Sequence, residues 1–481
     1  MKKTVLFAAA EGLPFIKSGG LADVVGSLPQ SEVKQGYEVR VVLPLYQKII
    51  NNWMDKLTKV KTYEVNMGSK QTIATVYQLK LDAITYYFIE HQGYFERDGM
   101  YGYGDDGERF AFFDLAVVQM LKELKYYPSI IHSHDWHTGM IPLLTKYQHK
   151  DEPKYQKIKH VYTIHNLLFQ GNFPPAMLES CLNLPSDLYY NGSLRFKNDI
   201  SFMKAGILYA DKISTVSNTY AHEILTGDGG EGMDPILNMR AWDLWGITNG
   251  IDTTVWNPKT DVDLNTNYDV SSLELKKENK RQLQEELGLR VDDHVLLLGM
   301  VSRLTWQKGI YLLIQKMYEL MGQDVQLVIL GTGESNAENQ LKPLEYNFPH
   351  RAVYYCGYNE PLSHRIYAGV DCFLMPSIFE PCGISQLISM HYGTLPLVRE
   401  TGGLKDTVIP YNQFTKEGTG FTFKNPDGQD FLNMVKYACY VYYYRHDDWT
   451  QLQVNAMNND VSWDKSCQLY CQLYESLIGN E

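Results

Sequence analysis

The sequence predicts an α/β protein made of two doubly wound, Rossmann-like halves. Three observations carry that expectation. Short β-branched strands alternate with amphipathic helices from the N-terminus to about residue 216. The same alternation restarts at Val295 and runs to Val398. Between the two, Asn257–Asn279 is polar and reads as a separator. Strand–helix alternation implies a mostly parallel sheet covered on both faces. A chain of 481 residues is long enough for two such domains. The expected division is 1–250, 251–460, and a helical segment over 461–481 that crosses back to the first domain.

In chain order, Thr4–Ala10 is an apolar run that reads as a first strand. Lys17-Ser18-Gly19-Gly20 follows, and apolar residues at Leu21, Val24, Val25 and Leu28 mark a helix. Glu38–Leu43 is a strand stopped at Pro44. Ile73–Leu79 and Ile84–Glu90 read as an antiparallel hairpin, and Phe110–Leu124 as a helix. Ser129–His132, Lys159–Thr163 and Lys212–Val216 are short strands, the last preceded by helical Ala205–Ala210. In the second half, Val295–Val301 and Val325–Leu330 are strands around a helix over Ile310–Met321. Ala352–Cys356, Cys372–Met375 and Leu395–Val398 are further strands, and Asp464–Ile478 has helical spacing.

Composition narrows the function. Apolar residues make up 44% of the chain, enough for large cores. The net charge of −12 argues against nucleic acid or an anionic membrane surface as partner. No apolar run is long enough to span a bilayer. Lys2 and Lys3 before TVLFAAA look like a weak signal peptide, but the run is short and leads directly into the glycine loop. The expectation is a cytoplasmic protein with an intact N-terminus. Seven cysteines with no C-x-x-C pair fit free thiols in a reducing compartment. The 35 tyrosines are weak support for a carbohydrate ligand, because rings that stack on sugars also simply pack.

Four stretches carry candidate chemistry, each at a strand end. The first is Lys17–Gly20. Glycines let the backbone approach an anion, and the free amides of a helix start attract one. The pattern Ser18-Gly-Gly-Leu-Ala-Asp-Val-Val25 recurs as Thr401-Gly-Gly-Leu-Lys-Asp-Thr-Val408, which reads as two equivalent anion corners, one per half. The second is His132-Ser-His134-Asp135-Trp136-His137, with His165-Asn166 closing the next strand. Three histidines invite a metal reading, but no completing ligand pattern is present. A polar cluster that grips hydroxyl groups fits better. The third is Val301-Ser-Arg303-Leu-Thr-Trp-Gln-Lys308-Gly309, where two cations at a helix start call for an anion such as a diphosphate. The fourth is Phe379-Glu380-Pro-Cys-Gly383, where Glu380 either complements a helix dipole or holds sugar hydroxyls. Cys382 has no histidine–aspartate set near it in sequence and is not read as a nucleophile.

Together these motifs resemble the bacterial glycogen synthase and plant starch synthase family. KSGGLADVVGSLP (17–29), HDWHTG (134–139), TIHNLLFQG (163–171), KAGILYAD (204–211) and GITNGID (246–252) match family blocks in order. So do VSRLTWQKG (301–309), FEPCGISQL (379–387) and YGTLPLVRETGGLKDTV (392–408). The resemblance implies a GT-B fold, with two Rossmann-like domains facing an interdomain cleft that closes on the donor. It implies glucose transfer from a nucleotide-glucose, favouring ADP-glucose, to the non-reducing end of an α-1,4-glucan, with retention. By position it assigns Arg303, Lys308, Glu380, His165 and Asp135 to catalysis. It assigns Lys17, Gly19, Gly20, Asp23, Asn249, Cys382, Gly383, Ile384, Thr401, Gly402 and Gly403 to donor binding. Tyr101 and Trp136 fall in the acceptor or sugar pocket. No cofactor and no metal are implied. Ser18 replaces the commoner threonine, and Ile388 stands where many relatives with this chemistry carry a second glutamate.

Overall fold

The computed structural model describes residues 3–479, so Lys2 and the last two residues of the 461–481 segment lie outside it. The chain divides into two compact units. One contains the chain up to Asn249 together with the helix that starts at Trp463; the other is Gly250–Ser462.

The first unit is built on a nine-stranded sheet. Its strands lie in the order Leu244–Gly246, Lys212–Thr215, Lys159–Ile164, Ile130–His134, Thr4–Ala8, Glu38–Pro44, Ile84–Glu90, Lys70–Leu81 and Thr58–Met67. The first seven run parallel, and the last two turn antiparallel. Thr4–Ala8 is apolar throughout its buried length because both sheet faces are covered. Thr58–Met67 was not foreseen. Its first five residues are all exposed, so period-two alternation marks only its second half. A small three-stranded sheet, Asn172–Phe173, Asp199–Ser201 and Arg195–Phe196, stands apart from the large one.

The terminal helix Trp463–Ile478 packs in this unit through Cys467, Tyr470, Leu473 and Tyr474. A buried hydrogen-bond chain ties it down. Tyr474 donates to Glu32 at 2.8 Å and bonds His132 Nδ1 at 2.7 Å; His132 Nε2 bonds Thr163 Oγ1 at 2.5 Å, and Thr163 bonds Ser214 at 2.6 Å.

The second unit holds six parallel strands in the order Ala352–Cys356, Val325–Gly331, Leu296–Val301, Cys372–Met375, Leu395–Arg399 and Phe421–Phe423. Counted along the chain this is 3-2-1-4-5-6, the doubly wound order of dinucleotide-binding sheets. Phe421–Phe423 is too short to announce itself in sequence. The helix expected over Ile310–Met321 is broken at Lys316 into Ile310–Gln315 and Met317–Met321.

Asn257–Asn279 is no separator. Tyr268 donates to the Tyr392 carbonyl at 2.7 Å, and Asp261 accepts His364 Nδ1 at 2.7 Å and the Tyr392 hydroxyl at 2.5 Å. Lys276, also buried, donates to Ala368 O and Thr394 Oγ1, each at 2.6 Å. Part of its polarity, at Asp261, Lys276 and Asn279, is consumed by internal hydrogen bonds, which a composition reading takes for solvent exposure. All seven cysteines are free thiols, and no helix among the described residues is long and apolar enough to cross a membrane.

Candidate active site

In an open α/β sheet, ligands bind beyond the carboxyl ends of the strands where the strand order reverses. In the second unit that point lies between Leu296–Val301 and Cys372–Met375. The chain leaving each strand lines one cavity of about 180 Å³, with Ser302, Arg303, Lys308, Ser377 and Ser385 in its wall. Lys308 ends a short turn, Trp306–Lys308, and Gly309 follows at φ +72°. A Cβ on Gly309 would collide with the Pro376 carbonyl, so only glycine permits this approach of the two loops. The approach sets Lys308 beside Glu380. Lys308 Nζ donates to both carboxylate oxygens, at 2.8 and 2.6 Å, and Ser377 Oγ donates to the same group at 3.2 Å. Glu380 is 5% exposed, and a carboxylate so buried needs these partners. The anion that the two cations call for is thus partly supplied by the protein. Arg303 is exposed and makes no ion pair among the described residues, which leaves its guanidinium available to a ligand.

The turn at Thr401 seats this carboxylate. Gly402 has φ +43°, and a Cβ on it would strike the Glu380 carbonyl; one on Gly403 would strike the Cys382 carbonyl. The Gly403 amide donates to the carbonyls of Glu380 at 3.2 Å and Pro381 at 3.1 Å. Thr401 is buried and caps a helix of only six residues, Gly402–Thr407. The expectation of two equivalent anion corners is therefore corrected: this amide is spent on protein carbonyls. Cys382 is buried. Gly383, at φ +75°, leads to Ile384, which precedes the helix Ser385–His391. Ile388 lies in the core on that helix.

In the first unit the strand order reverses around Thr4–Ala8, between Glu38–Pro44 and Ile130–His134. The segment after Thr4–Ala8 carries Glu11, which is 4% exposed. Its carboxylate accepts the Ser18 amide, the Ser18 hydroxyl at 3.1 Å and the Gly19 amide at 3.2 Å. Burial pushes its pKa up, opposed by these bonds. Glu11 had no sequence signal, because it holds the loop leading into the helix Gly20–Lys34 from seven residues before its nearest partner. Gly20 opens that helix and is exposed. Lys17 is also exposed, its Nζ 2.7 Å from Asp23 Oδ1.

Asp135 ends Ile130–His134 with φ +56°. Its Oδ1 accepts the His165 amide at 2.7 Å and lies 3.4 Å from the Asn166 amide. Burial raises its pKa to about 7 despite these bonds. His165 Nε2 lies 3.0 Å from His134 Nδ1, and burial lowers the His165 pKa to about 3, so its ring is neutral. One ring of that pair donates and the other accepts. The Tyr101 hydroxyl, Asn249 Oδ1 and His134 Nε2 are buried without a geometrically sound partner among the described residues. Buried polar atoms in that state are uncommon and mark bonding capacity open to a ligand. The charge of Glu11 adds to the upward shifts that burial gives Tyr101 and Asp135.

Other expected residues have structural places. Trp136 is 8% exposed, stacked on His137 at 4.1 Å and edge-on to Phe110 at 5.0 Å. Gly171 at φ +59° leaves no room above its ring. His132 is bonded at both ring nitrogens and has none free for a metal. Among the described residues, the group whose ligand atoms lie close enough to share an ion is Asp261, Asp263 and His364. Both Asp261 oxygens already bond protein groups.

The family described as starch synthase catalytic domain matches residues 4–239, and glycosyl transferases group 1 matches residues 279–439. A glycogen synthase of Clostridium beijerinckii is 46% identical over 478 residues, covering 99% of this chain and 100% of that protein. One of Geobacillus stearothermophilus is 46% identical over 477 residues, covering 99% of this chain and 98% of its own. The solved catalytic domain of starch synthase IV from Arabidopsis thaliana, bound to ADP and acarbose, superposes with a TM-score of 0.91 at 32% identity over 100% of both chains. A sucrose-phosphate synthase from Thermosynechococcus elongatus shares the fold alone, with a TM-score of 0.60 at 16% identity. On these matches, the chain belongs to the glycogen and starch synthase family and is a glycosyltransferase of GT-B fold.

Proposed function

We propose that the protein transfers glucose from ADP-glucose to the non-reducing end of an α-1,4-glucan with retention of anomeric configuration, acting in the cytoplasm. The observation that carries the reading is the set Arg303, Lys308, Ser377 and Glu380 at the strand-order reversal of the second unit. The starch synthase structure that holds ADP and acarbose supports the choice of donor and acceptor class.

Loss of a nucleoside diphosphate from glucose builds negative charge on the leaving phosphate oxygens. Arg303 and Lys308 meet that charge with fixed donors, in the role that metal ions play in other phosphate-handling enzymes. Glu380 holds Lys308 in place and has oxygens suited to accept sugar hydroxyls. The second glycine turn serves the donor side by seating Glu380, Cys382 and Gly383. In the first unit, neutral His165 can donate or accept, and Asp135 accepts hydroxyl protons when ionised. Lys17, with Asp23 beside it, brings a movable positive charge. The Glu380 carboxylate is held by Lys308 and Ser377 and is not read as a nucleophile. Retention then follows from attack on the face the leaving group departs from, with the leaving phosphate accepting the acceptor's proton.

The test is incorporation of labelled glucose into glycogen from ADP-glucose and UDP-glucose in parallel. ADP-glucose is expected to serve at least tenfold better, and retained activity in chelator is expected. Preference for UDP-glucose would overturn the donor. Transfer to a small acceptor with no stimulation by long oligosaccharide primers would point to a different GT-B transferase.

A further inference from the structure

The histidines on either side of Asp135 are tied by one hydrogen bond, 3.0 Å from His134 Nδ1 to His165 Nε2. Burial keeps both rings neutral: it lowers the His165 pKa to about 3 and pushes that of His134 well below the usual histidine range. A neutral imidazole carries one N–H, so the direction of this bond fixes the outer nitrogen of both rings. If His165 Nε2 donates, the proton of His134 sits on its Nε2. If His134 Nδ1 donates, His134 Nε2 is bare and the proton of His165 sits on its Nδ1. The surroundings of His134 choose between the two. The ring has 0% exposure, and Nε2 has no partner among the described residues. It packs against Phe7, stacked at 5.3 Å, and against His132 at 4.1 Å. His132 spends both of its nitrogens on Tyr474 and Thr163. A buried N–H with no acceptor is the costlier state, since orphaned buried donors are rarer than orphaned acceptors. The His134 proton therefore belongs on Nδ1, inside the bond.

We propose that His134 is a positioning residue for His165: by donating from Nδ1 it fixes the His165 proton on Nδ1 and makes that nitrogen a donor to a hydroxyl oxygen of the bound sugar. The donor role rests on the glucosyl-transfer reading above; the place of the proton does not. His165 then has no free lone pair, because Nε2 is engaged and Nδ1 is protonated. It orients a hydroxyl and does not act as the base, which agrees with a leaving phosphate that receives the acceptor's proton.

The experiment compares wild type with His134→Leu, His134→Asn and His134→Gln. Nitrogen NMR of histidine-labelled protein reads which ring nitrogen carries each proton, and His165→Gln identifies the His165 signals by their loss. Labelled-glucose transfer gives kcat and the KM for ADP-glucose. The side-chain nitrogen of Asn can take the place of Nδ1, whereas that of Gln takes the place of Nε2. Wild-type His165 is expected to be protonated at Nδ1 alone. His134→Leu should move that proton and lower kcat about 100-fold, the scale of one lost donor, while His134→Asn keeps the proton in place and stays within about tenfold of wild type. His134→Gln should behave as His134→Leu does. Should His134→Leu not fold, as thermal unfolding would show, the contrast between Asn and Gln carries the test. A wild-type proton on His165 Nε2 would overturn the proposal. So would an unmoved proton or wild-type kcat in His134→Leu, or equal losses in the Asn and Gln variants. Failure of wild type to use ADP-glucose would overturn the functional reading instead, and the spectrum would still report the proton.

Discussion

Ser18-Gly-Gly-Leu-Ala-Asp-Val-Val25 and Thr401-Gly-Gly-Leu-Lys-Asp-Thr-Val408 share five of eight residues, and each opens a helix beyond a parallel strand. The first opens a 15-residue helix, and the Ser18 and Gly19 amides just before it converge on Glu11, with open space where the Gly19 side chain would be. The second opens a six-residue helix whose glycines lie against the backbone of Glu380–Cys382 with no space at all. One pair of glycines keeps a charged corner accessible to a side chain. The other lets two backbones touch so that a carboxylate lands beside Lys308. The same letters answer two different steric demands, and the neighbours that decide which demand applies are distant in sequence.

The largest effects are expected where that difference meets the chemistry. Removing one preorganised donor from a developing anion typically costs about 3–4 kcal/mol, so Arg303→Ala should lower kcat by two to three orders of magnitude with an unchanged melting temperature. Lys308→Ala should do the same and also lower the melting temperature, because it strands Glu380 in a buried position. Labelled-glucose transfer and thermal unfolding separate the two. Wild-type turnover in either variant would remove the residue from the mechanism. Next comes the direct comparison of corners. Gly402→Ala forces a Cβ into the Glu380 carbonyl at positive φ, and should cost about 100-fold in kcat through displacement of Glu380. Gly19→Ala, at an extended φ of −152° and with room for a methyl group, should stay within about threefold of wild type, since only glycine's entropy term changes. Equal damage from both substitutions would mean the corners are alike after all.

What could be read from the sequence follows from the same distinction. Elements whose signal is local were legible: the buried parallel strands, the helix starts, and the strand-end positions of Lys17, Asp135, His165, Arg303, Lys308 and Glu380. Partnerships made across the fold were not. Glu11 sits seven residues before the amide it holds, and nothing in the intervening segment marks it. The Lys308–Glu380 pair spans 72 residues, and Asn257–Asn279 looked like a linker because the partners of Asp261, Tyr268 and Lys276 lie more than 90 residues on. His132 looked functional because histidine at a strand end is chemically versatile; only its bonded neighbours, Tyr474 and Thr163, show it to be structural.

A smaller effect concerns ionisation in the first unit. Asp135 has its pKa raised to about 7 by burial, with Glu11 adding to the shift. If the ionised carboxylate is the working form, kcat/KM rises with pH through about 7 and levels off above it. Asp135→Asn should flatten that limb along with lowering the rate, whereas an unchanged limb would assign the ionisation to another group. No such limb is expected from His165, which is already neutral above about pH 3.

The smallest effect compares the two ends of one helix. Glu11 holds the loop leading into Gly20–Lys34 through three donors, whereas Glu32 lies in its last turn, fully buried, with one donor from Tyr474 and its second oxygen unpartnered. The helix dipole favours a carboxylate at the first end and opposes it at the second. Burial accordingly pushes the Glu32 pKa well above the usual carboxylate range. The folded protein therefore binds this proton more tightly than the unfolded chain does. The contribution of Glu32 to stability is complete below the unfolded pKa and is lost as pH rises through the folded one. Glu32→Gln has no proton to lose and keeps an oxygen for Tyr474. It should match wild type at low pH, raise stability by about 1–3 kcal/mol at pH 8, and leave kcat unchanged. Burial also raises the Glu11 pKa, but the Ser18 and Gly19 bonds oppose the shift, so Glu11→Gln should gain less stability at pH 8 than Glu32→Gln does. Denaturant unfolding of both variants at pH 5 and pH 8 reads the difference, and an equal or larger gain in Glu11→Gln at pH 8 would show that the helix end does not decide how a buried carboxyl is held.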